Sequence, residues 1–338
     1  MHRILIGPAW LVSFNSSRLV GTLFAGSVLA AGWLTFGSQN SAIAAPAAAA
    51  ADEKEKIPEP EDVDLQTSDG VELRATYYAS TEGKDAVPVI LLHGFKGDRR
   101  EFDELALFLQ QSGNAVIAPD LRGHGDSTKM VRPGSGAVVT LEASKLRKED
   151  FSLMTEKDVE TVKRFLMKKN NSGELNIEKL CVVGADMGAT VALNWAALDW
   201  SWPPLATGKQ GQDVKALVLI SPQFSFKGIP ITGAINVPAI RRDLSVMMIV
   251  GKGDPASMRD ATRIHKALEK FRPAPPSDPK EAAEKQDLFF DKPSTSLSGT
   301  KMLGEKSLNL GPRIARFIDL RLVEKKIPWG DRSKGAAE

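Results

Sequence analysis

Five short apolar runs in this chain carry no charged residue at all: Val87–Leu92 (VPVILL), Ala115–Ala118 (AVIA), Leu180–Val183 (LCVV), Ala216–Ile220 (ALVLI) and Val246–Val250 (VMMIV). A strand with one wet face alternates apolar and polar residues, so unbroken runs of this length require burial on both faces. The stretches between them have helical periodicity: Arg99–Gln111, Phe151–Lys169, Gly188–Leu198, Ser257–Lys270 and Leu308–Lys325. Ahead of them, Val63–Ala79 alternates around Asp69-Gly70, the signal of an antiparallel hairpin. The expected fold class is therefore α/β: a mostly parallel central sheet with an N-terminal antiparallel hairpin and helices on both faces. Three segments read as excursions, Lys129–Asp150, Ser221–Asp243 and Arg272–Lys285. The second, of about 20 residues, is too short for a large helical cap domain.

The sequence has 338 residues, and its first part does not belong to this pattern. Arg3 and Arg18 are the only charged residues before Asp52, and the run Leu19–Phe36 is apolar. Ala42-Ile43-Ala44 offers the small-residue pattern of a signal-peptide cleavage site, so residues 1–44 read as an export signal. The alternative is an uncleaved membrane anchor formed by residues 19–36, since about 20 apolar residues span a bilayer. Residues 45–62, rich in Ala, Pro and charge, read as a linker; residues 63–324 form the folded domain, and 325–338 a loose tail. The expected location is periplasmic or extracellular. Without the leader, the 44 basic residues fall to 42 against 42 acidic ones. A neutral chain without basic blocks offers no electrostatic footprint for nucleic acid. One cysteine, Cys181, lies inside an apolar strand, which excludes an internal disulfide and argues against a nucleophilic thiol.

Each apolar run ends in a loop with chemistry-bearing residues. His93-Gly94-Phe95 follows the first, Pro119–Ser127 (PDLRGHGDS) the second, Gly184-Ala185-Asp186-Met187-Gly188 the third, and Gly251–Pro255 (GKGDP) the last. All four lie at carboxyl ends of predicted strands, where open α/β sheets place their sites. In this order the motifs resemble the α/β-hydrolase superfamily, its serine-hydrolase and esterase-like branch in particular, over nearly all of residues 63–324. The resemblance implies that His93-Gly94-Phe95 is an oxyanion-hole turn with Phe95 N–H as donor. It further implies that GADMG is the nucleophile elbow, with Met187 N–H as the second donor and Asp254 as the triad acid.

The sequence departs from that family at two places. The elbow residue, Ser in most members, is Asp186 here, a residue type that tolerates positive φ. The family's catalytic histidine follows the last strand, here Leu288–Phe290, yet Asp291–Leu303 (DKPSTSLSGTKML) contains none. Relatives with a similar ending place His-Gly before a small-x-Met-Leu stretch, which aligns Ser298 with the missing imidazole. Of the four histidines, His2 falls in the leader, His93 and His124 sit in loop motifs where they read as braces, and His265 lies on a helix beyond Asp254. Branches with an elbow Asp attack carbon and release the ester with a His-activated water, and they carry a cap. Neither the histidine nor the cap is present in this sequence.

The expected function is accordingly that of an exported α/β-hydrolase-fold protein whose triad has degenerated. It would bind a small-molecule ligand or an envelope protein partner through the former cleft, with a membrane as partner only if the leader is retained. The alternative is an active hydrolase of esters or related acyl substrates with a non-standard site built on Asp186. Facing carboxylates without an imidazole suit a cationic or polyhydroxyl ligand. No cofactor and no metal are expected, because the histidines are scattered and Gly251-x-Gly253 lacks dinucleotide-loop spacing.

Overall fold

The computed structural model describes residues 56–206 and 208–333. The leader, most of the linker and residues 334–338 lie outside them. The strands in chain order are β1 Glu61–Gln66, β2 Val71–Tyr78, β3 Pro88–Leu92, β4 Ala115–Pro119, β5 Lys129–Val131 and β6 Val138–Thr140, followed by β7 Leu180–Ala185, β8 Val214–Ile220, β9 Ser225–Phe226, β10 Ile229–Pro230, β11 Ser245–Ile249 and β12 Leu288–Asp291. Helices α1 Asp103–Gln111, α2 Lys148–Leu153, α3 Glu160–Asn171, α4 Met187–Ser201, α5 Pro238–Arg242, α6 Pro255–Glu269, α7 Pro279–Lys285 and α8 Leu310–Ile318 connect them.

The main sheet runs β12-β11-β8-β7-β3-β4-β2-β5-β6, with β1 paired to β2. All five predicted apolar runs are parallel neighbours in it. Alternate residues of one strand enter opposite cores, which is why the runs show no polar face. Ile90, Leu92 and Val182 join Leu166, Trp195 and Ile264 on one side, while Val89, Leu91 and Val183 join Leu105, Leu109 and Ile314 on the other. Each such side chain contributes about 1.5–3 kcal/mol on burial. The hairpin forms as expected, with Val63 opposite Ala75. Gly70 turns it at φ 92°, and a Cβ there would overlap the Val131 carbonyl.

Three local readings change. The excursion Lys129–Asp150 contributes β5 and β6, which extend the sheet beyond β2. Strand β1 starts at Glu61, inside the expected linker. The tail is not loose between Ile327 and Ser333: Asn176 Nδ2 donates to the Ile327 carbonyl at 3.0 Å and Asn170 Nδ2 to that of Gly330 at 3.0 Å. Arg332 closes the strap by pairing with Glu178 at 2.7 Å and buried Asp213 at 2.8 Å. The short Ser221–Asp243 excursion holds only the β9–β10 hairpin, a 3-10 turn and the five-residue α5.

Candidate active site

The site forms where β3, β7 and β11 end. Strand β7 reverses into α4 through Asp186, at φ 49° and ψ −110°. Such a turn needs two glycines because the backbones touch: a Cβ on Gly184 would overlap the Gly188 carbonyl, and one on Gly188 the Leu92 carbonyl. The Asp186 N–H donates to the Ile220 carbonyl at 2.9 Å, which ties the elbow to β8. Although Asp186 precedes a helix, its carboxylate makes no capping bond and projects over the sheet instead.

Three contacts fix that carboxylate. Ser298 Oγ–H donates to Asp186 Oδ1 at 3.3 Å. Gly299, at φ 60°, lies so near Oδ2 that an added Cβ would overlap it. On the opposite side, a Cβ on Gly94 of the predicted oxyanion turn would stand 3.2 Å from Oδ2. Burial raises the Asp186 pKa from 3.8 to about 6; the Ser298 hydroxyl lowers it, the charges of Asp254 and Glu101 raise it, and Lys301 lowers it again.

Asp254 caps α6 and accepts the Ser257 N–H at 3.1 Å. Partial burial pushes its carboxyl up, but hydrogen bonds from Ser257 and the Ala256 N–H, with the Ser298 hydroxyl nearby, outweigh this and leave it below the ordinary range. Ser298 Oγ also lies 3.5 Å from Ser257 Oγ. Ser298 thus stands between the two carboxyl groups, its single hydroxyl proton given to Asp186 and its oxygen beside Ser257, whose N–H Asp254 accepts. The sequence-predicted trio of Asp186, Ser298 and Asp254 is brought together. A hydroxyl there passes no net proton near neutral pH, whereas an imidazole would.

The histidines are engaged elsewhere. A backbone amide only donates, so the Leu121 N–H bond of 3.0 Å makes His93 Nε2 an acceptor, and Nδ1–H then donates to the Gly94 carbonyl at 2.8 Å. Burial drops the His93 pKa to about 4, so this ring is a neutral brace for the turn. His124 is buried with Nδ1 on the Arg122 carbonyl at 2.9 Å, its ring 5.1 Å from that of His93. His265 stacks on Phe290 at 5.0 Å and pairs with Glu269 on its own helix at 3.7 Å. Cys181 is buried in β7, and burial raises its thiol pKa.

Several surrounding parts were not anticipated. The Thr300 hydroxyl donates to Glu101 Oε2 at 2.9 Å, joining the segment after Ser298 to the one after the oxyanion turn. Phe226, on the β9–β10 hairpin, packs on Phe95 and Phe151 with centroids 5.5 and 5.3 Å apart. Beside Met187, which is fully buried, Phe151 and Phe226 leave an apolar space of about 10 Å³, room for one water. Thr190 lines it, buried and with its hydroxyl unpartnered. Lys227 lies over the Phe95 ring at 5.0 Å and Lys96 at 5.7 Å, so the rim is not uniformly acidic. Among the described residues, no group of three His, Cys, Asp or Glu side chains forms a metal site.

Residues 87–240 match the family model for the α/β-hydrolase fold. Solved structures agree in architecture: an esterase of Pyrococcus furiosus superposes with a TM-score of 0.53 at 16% identity, covering 78% of this chain and 93% of that one. A dienelactone hydrolase of Anabaena variabilis gives 0.51 at 14%, covering 79% and 100%. The chain has the α/β-hydrolase fold. At such identities the likeness to these structures is one of fold. An uncharacterised protein of Mycobacterium tuberculosis is 28% identical over 184 residues, 54% of this chain and 51% of that protein. The chain thus spans about half the length of that relative. A non-heme chloroperoxidase of Burkholderia pyrrocinia shares 39% over 66 residues, 20% of this chain and 23% of that one. Within an α/β-hydrolase fold, the elbow at Asp186, the turn at Gly94-Phe95 and the loop holding Asp254 occupy the strand ends the superfamily uses for chemistry.

Proposed function

We propose that this chain is an exported, catalytically degenerate α/β-hydrolase that uses its former active-site cleft for binding. The observation that carries the reading is Ser298, which bonds Asp186 and stands in hydrogen-bond reach of the Asp254 side where an imidazole would have to cycle a proton. In serine hydrolases, loss of the nucleophile or the base costs on the order of 10⁶ in turnover. Asp186 Oδ2 also lies close to Gly299, where an added Cβ would overlap it. The binding role is supported by the two carboxyl groups, Asp186 and Asp254, gathered about Ser298 without an imidazole. A small cationic or polyhydroxyl molecule is the proposed ligand, and an envelope protein is the other candidate occupant. The space under Phe226 has room for one water only, which would satisfy the Thr190 hydroxyl.

The test is turnover. Purified chain is offered short-chain acyl esters beside Asp186→Ala. The expected result is the buffer rate for both. Hydrolysis well above background that disappears in Asp186→Ala would overturn this reading and support an active hydrolase with Asp186 as nucleophile.

A further inference from the structure

Helix α6 and its C-cap present Arg259, Arg263, Lys266 and Lys270 at i, i+4, i+7 and i+11, and all four are exposed. At 100° per residue these positions fall within one narrow stripe, about 16 Å long at 1.5 Å rise per residue. The opposite face, Ala261, Ile264 and Leu268, is buried against the sheet. The stripe lines an open groove of about 460 Å³ whose remaining walls are Thr262 and Ala267.

Neighbouring acids do not neutralise it. Asp260 meets Arg259 at 3.4 Å but is committed to the Phe224 N–H at 3.1 Å. Glu269 points to the flank, its carboxylate 3.7 Å from His265 Nδ1. Among the described residues, Arg263, Lys266 and Lys270 have no carboxylate within salt-bridge distance. The Arg263 guanidinium is stacked 3.5 Å over Phe224, which holds it in place without reducing its charge. At the C-terminal end of the stripe Phe271 is 38% exposed, with the Arg241 guanidinium 4.2 Å from its ring centroid. A chain of nearly balanced charge has therefore concentrated four cations on one open helix face, only Arg259 of them in an ion pair, next to an exposed aromatic ring.

We infer that this face of α6 is a docking surface for an anionic lipid bilayer. A straight cationic row on an open groove suits a plane of headgroups, and long Lys and Arg stems with Phe271 suit the interfacial zone. An acidic protein or a nucleic acid is the competing occupant. Each Lys or Arg near an anionic membrane is worth about 1 kcal/mol, or about fivefold in binding.

Vesicle binding by the full chain tests this. Partitioning to phosphatidylcholine vesicles with and without phosphatidylglycerol is measured for the parent and for a variant with Arg259, Arg263, Lys266 and Lys270 all changed to Gln. A control variant carries Gln at Lys168, Lys306, Lys325 and Lys326, exposed cations elsewhere. All comparisons use the ratio of the two vesicle types, so any charge-independent insertion of the leader cancels. The parent and the control should prefer the anionic vesicles, with high salt removing the preference. The α6 variant should lose at least about a hundredfold of it. An equal ratio in parent and α6 variant overturns the inference, as does an equal loss in the control. So does tighter α6-dependent binding to duplex DNA or polyglutamate than to anionic vesicles.

Discussion

Replacing Asp186 by Asn should stabilise the protein, by an amount that depends on pH. Asn keeps the size of the side chain and tolerates positive φ, so the elbow at φ 49° is preserved. What changes is the charge. Asp186 titrates near 6 in the folded chain and near 3.8 unfolded. Below 3.8 both states are protonated and the group is neutral to folding. Between 3.8 and 6 the unfolded chain ionises first, so folding stability falls as pH rises, and above 6 the full difference remains. That difference corresponds to roughly 3 kcal/mol against the native state. Urea unfolding of parent and Asp186→Asn at acid and neutral pH reads it directly. The variant should match the parent near pH ~4 and gain up to about 3 kcal/mol near pH ~7, or several degrees in Tm. A constant gap across this range, or none, would refute the claim that the elbow carboxylate is desolvated among Asp254, Glu101 and Gly299.

Gly299→Ala should cost about 3 kcal/mol, because its φ is 60° and the new methyl overlaps Asp186 Oδ2. Pairing it with Asp186→Ala should recover part of that loss, which a double-mutant cycle in urea measures. Arg332→Ala should lower stability by about 2–3 kcal/mol, less than for a lone buried pair because Lys163 and Lys209 still face Asp213. Unfolding midpoints check this, and an unchanged midpoint would mean that the strap does not hold in solution. Phe226→Ala should open the space beneath Phe95 and Phe151. The expected gain is binding of an apolar fluorescent probe, at a stability cost of about 3–5 kcal/mol.

The parts of this fold that were readable in sequence are those set by local chemistry. Unbroken apolar runs announced strands buried on both faces, Asp69-Gly70 marked the hairpin, and Gly184 and Gly188 marked a turn where backbones touch. The alignment of Ser298 with a lost imidazole rests on the family resemblance of the Gly299–Leu303 stretch that follows it, and in the structure its hydroxyl lies 3.3 Å from Asp186 Oδ1. What sequence did not disclose depends on partners far along the chain. Phe226 reads as one apolar residue in a polar excursion until it meets Phe95 and Phe151. Thr300 and Glu101 are 199 positions apart. The strap Ile327–Ser333 has no periodicity of its own and is ordered by Asn170, Asn171 and Asn176, whose side chains satisfy its backbone. Strands β5 and β6 are three residues each and half exposed, so they lack the pattern that revealed the others.

The most direct test of the central claim is to rebuild the triad. Asp186→Ser combined with Ser298→His places a hydroxyl at the elbow and an imidazole between it and Asp254, using positions that already touch. Hydrolysis of short-chain acyl esters is then compared across the parent, each single variant and the double. The prediction is turnover in the double variant alone. Activity in the parent, or a correctly folded double variant as inert as its singles, would contradict the account.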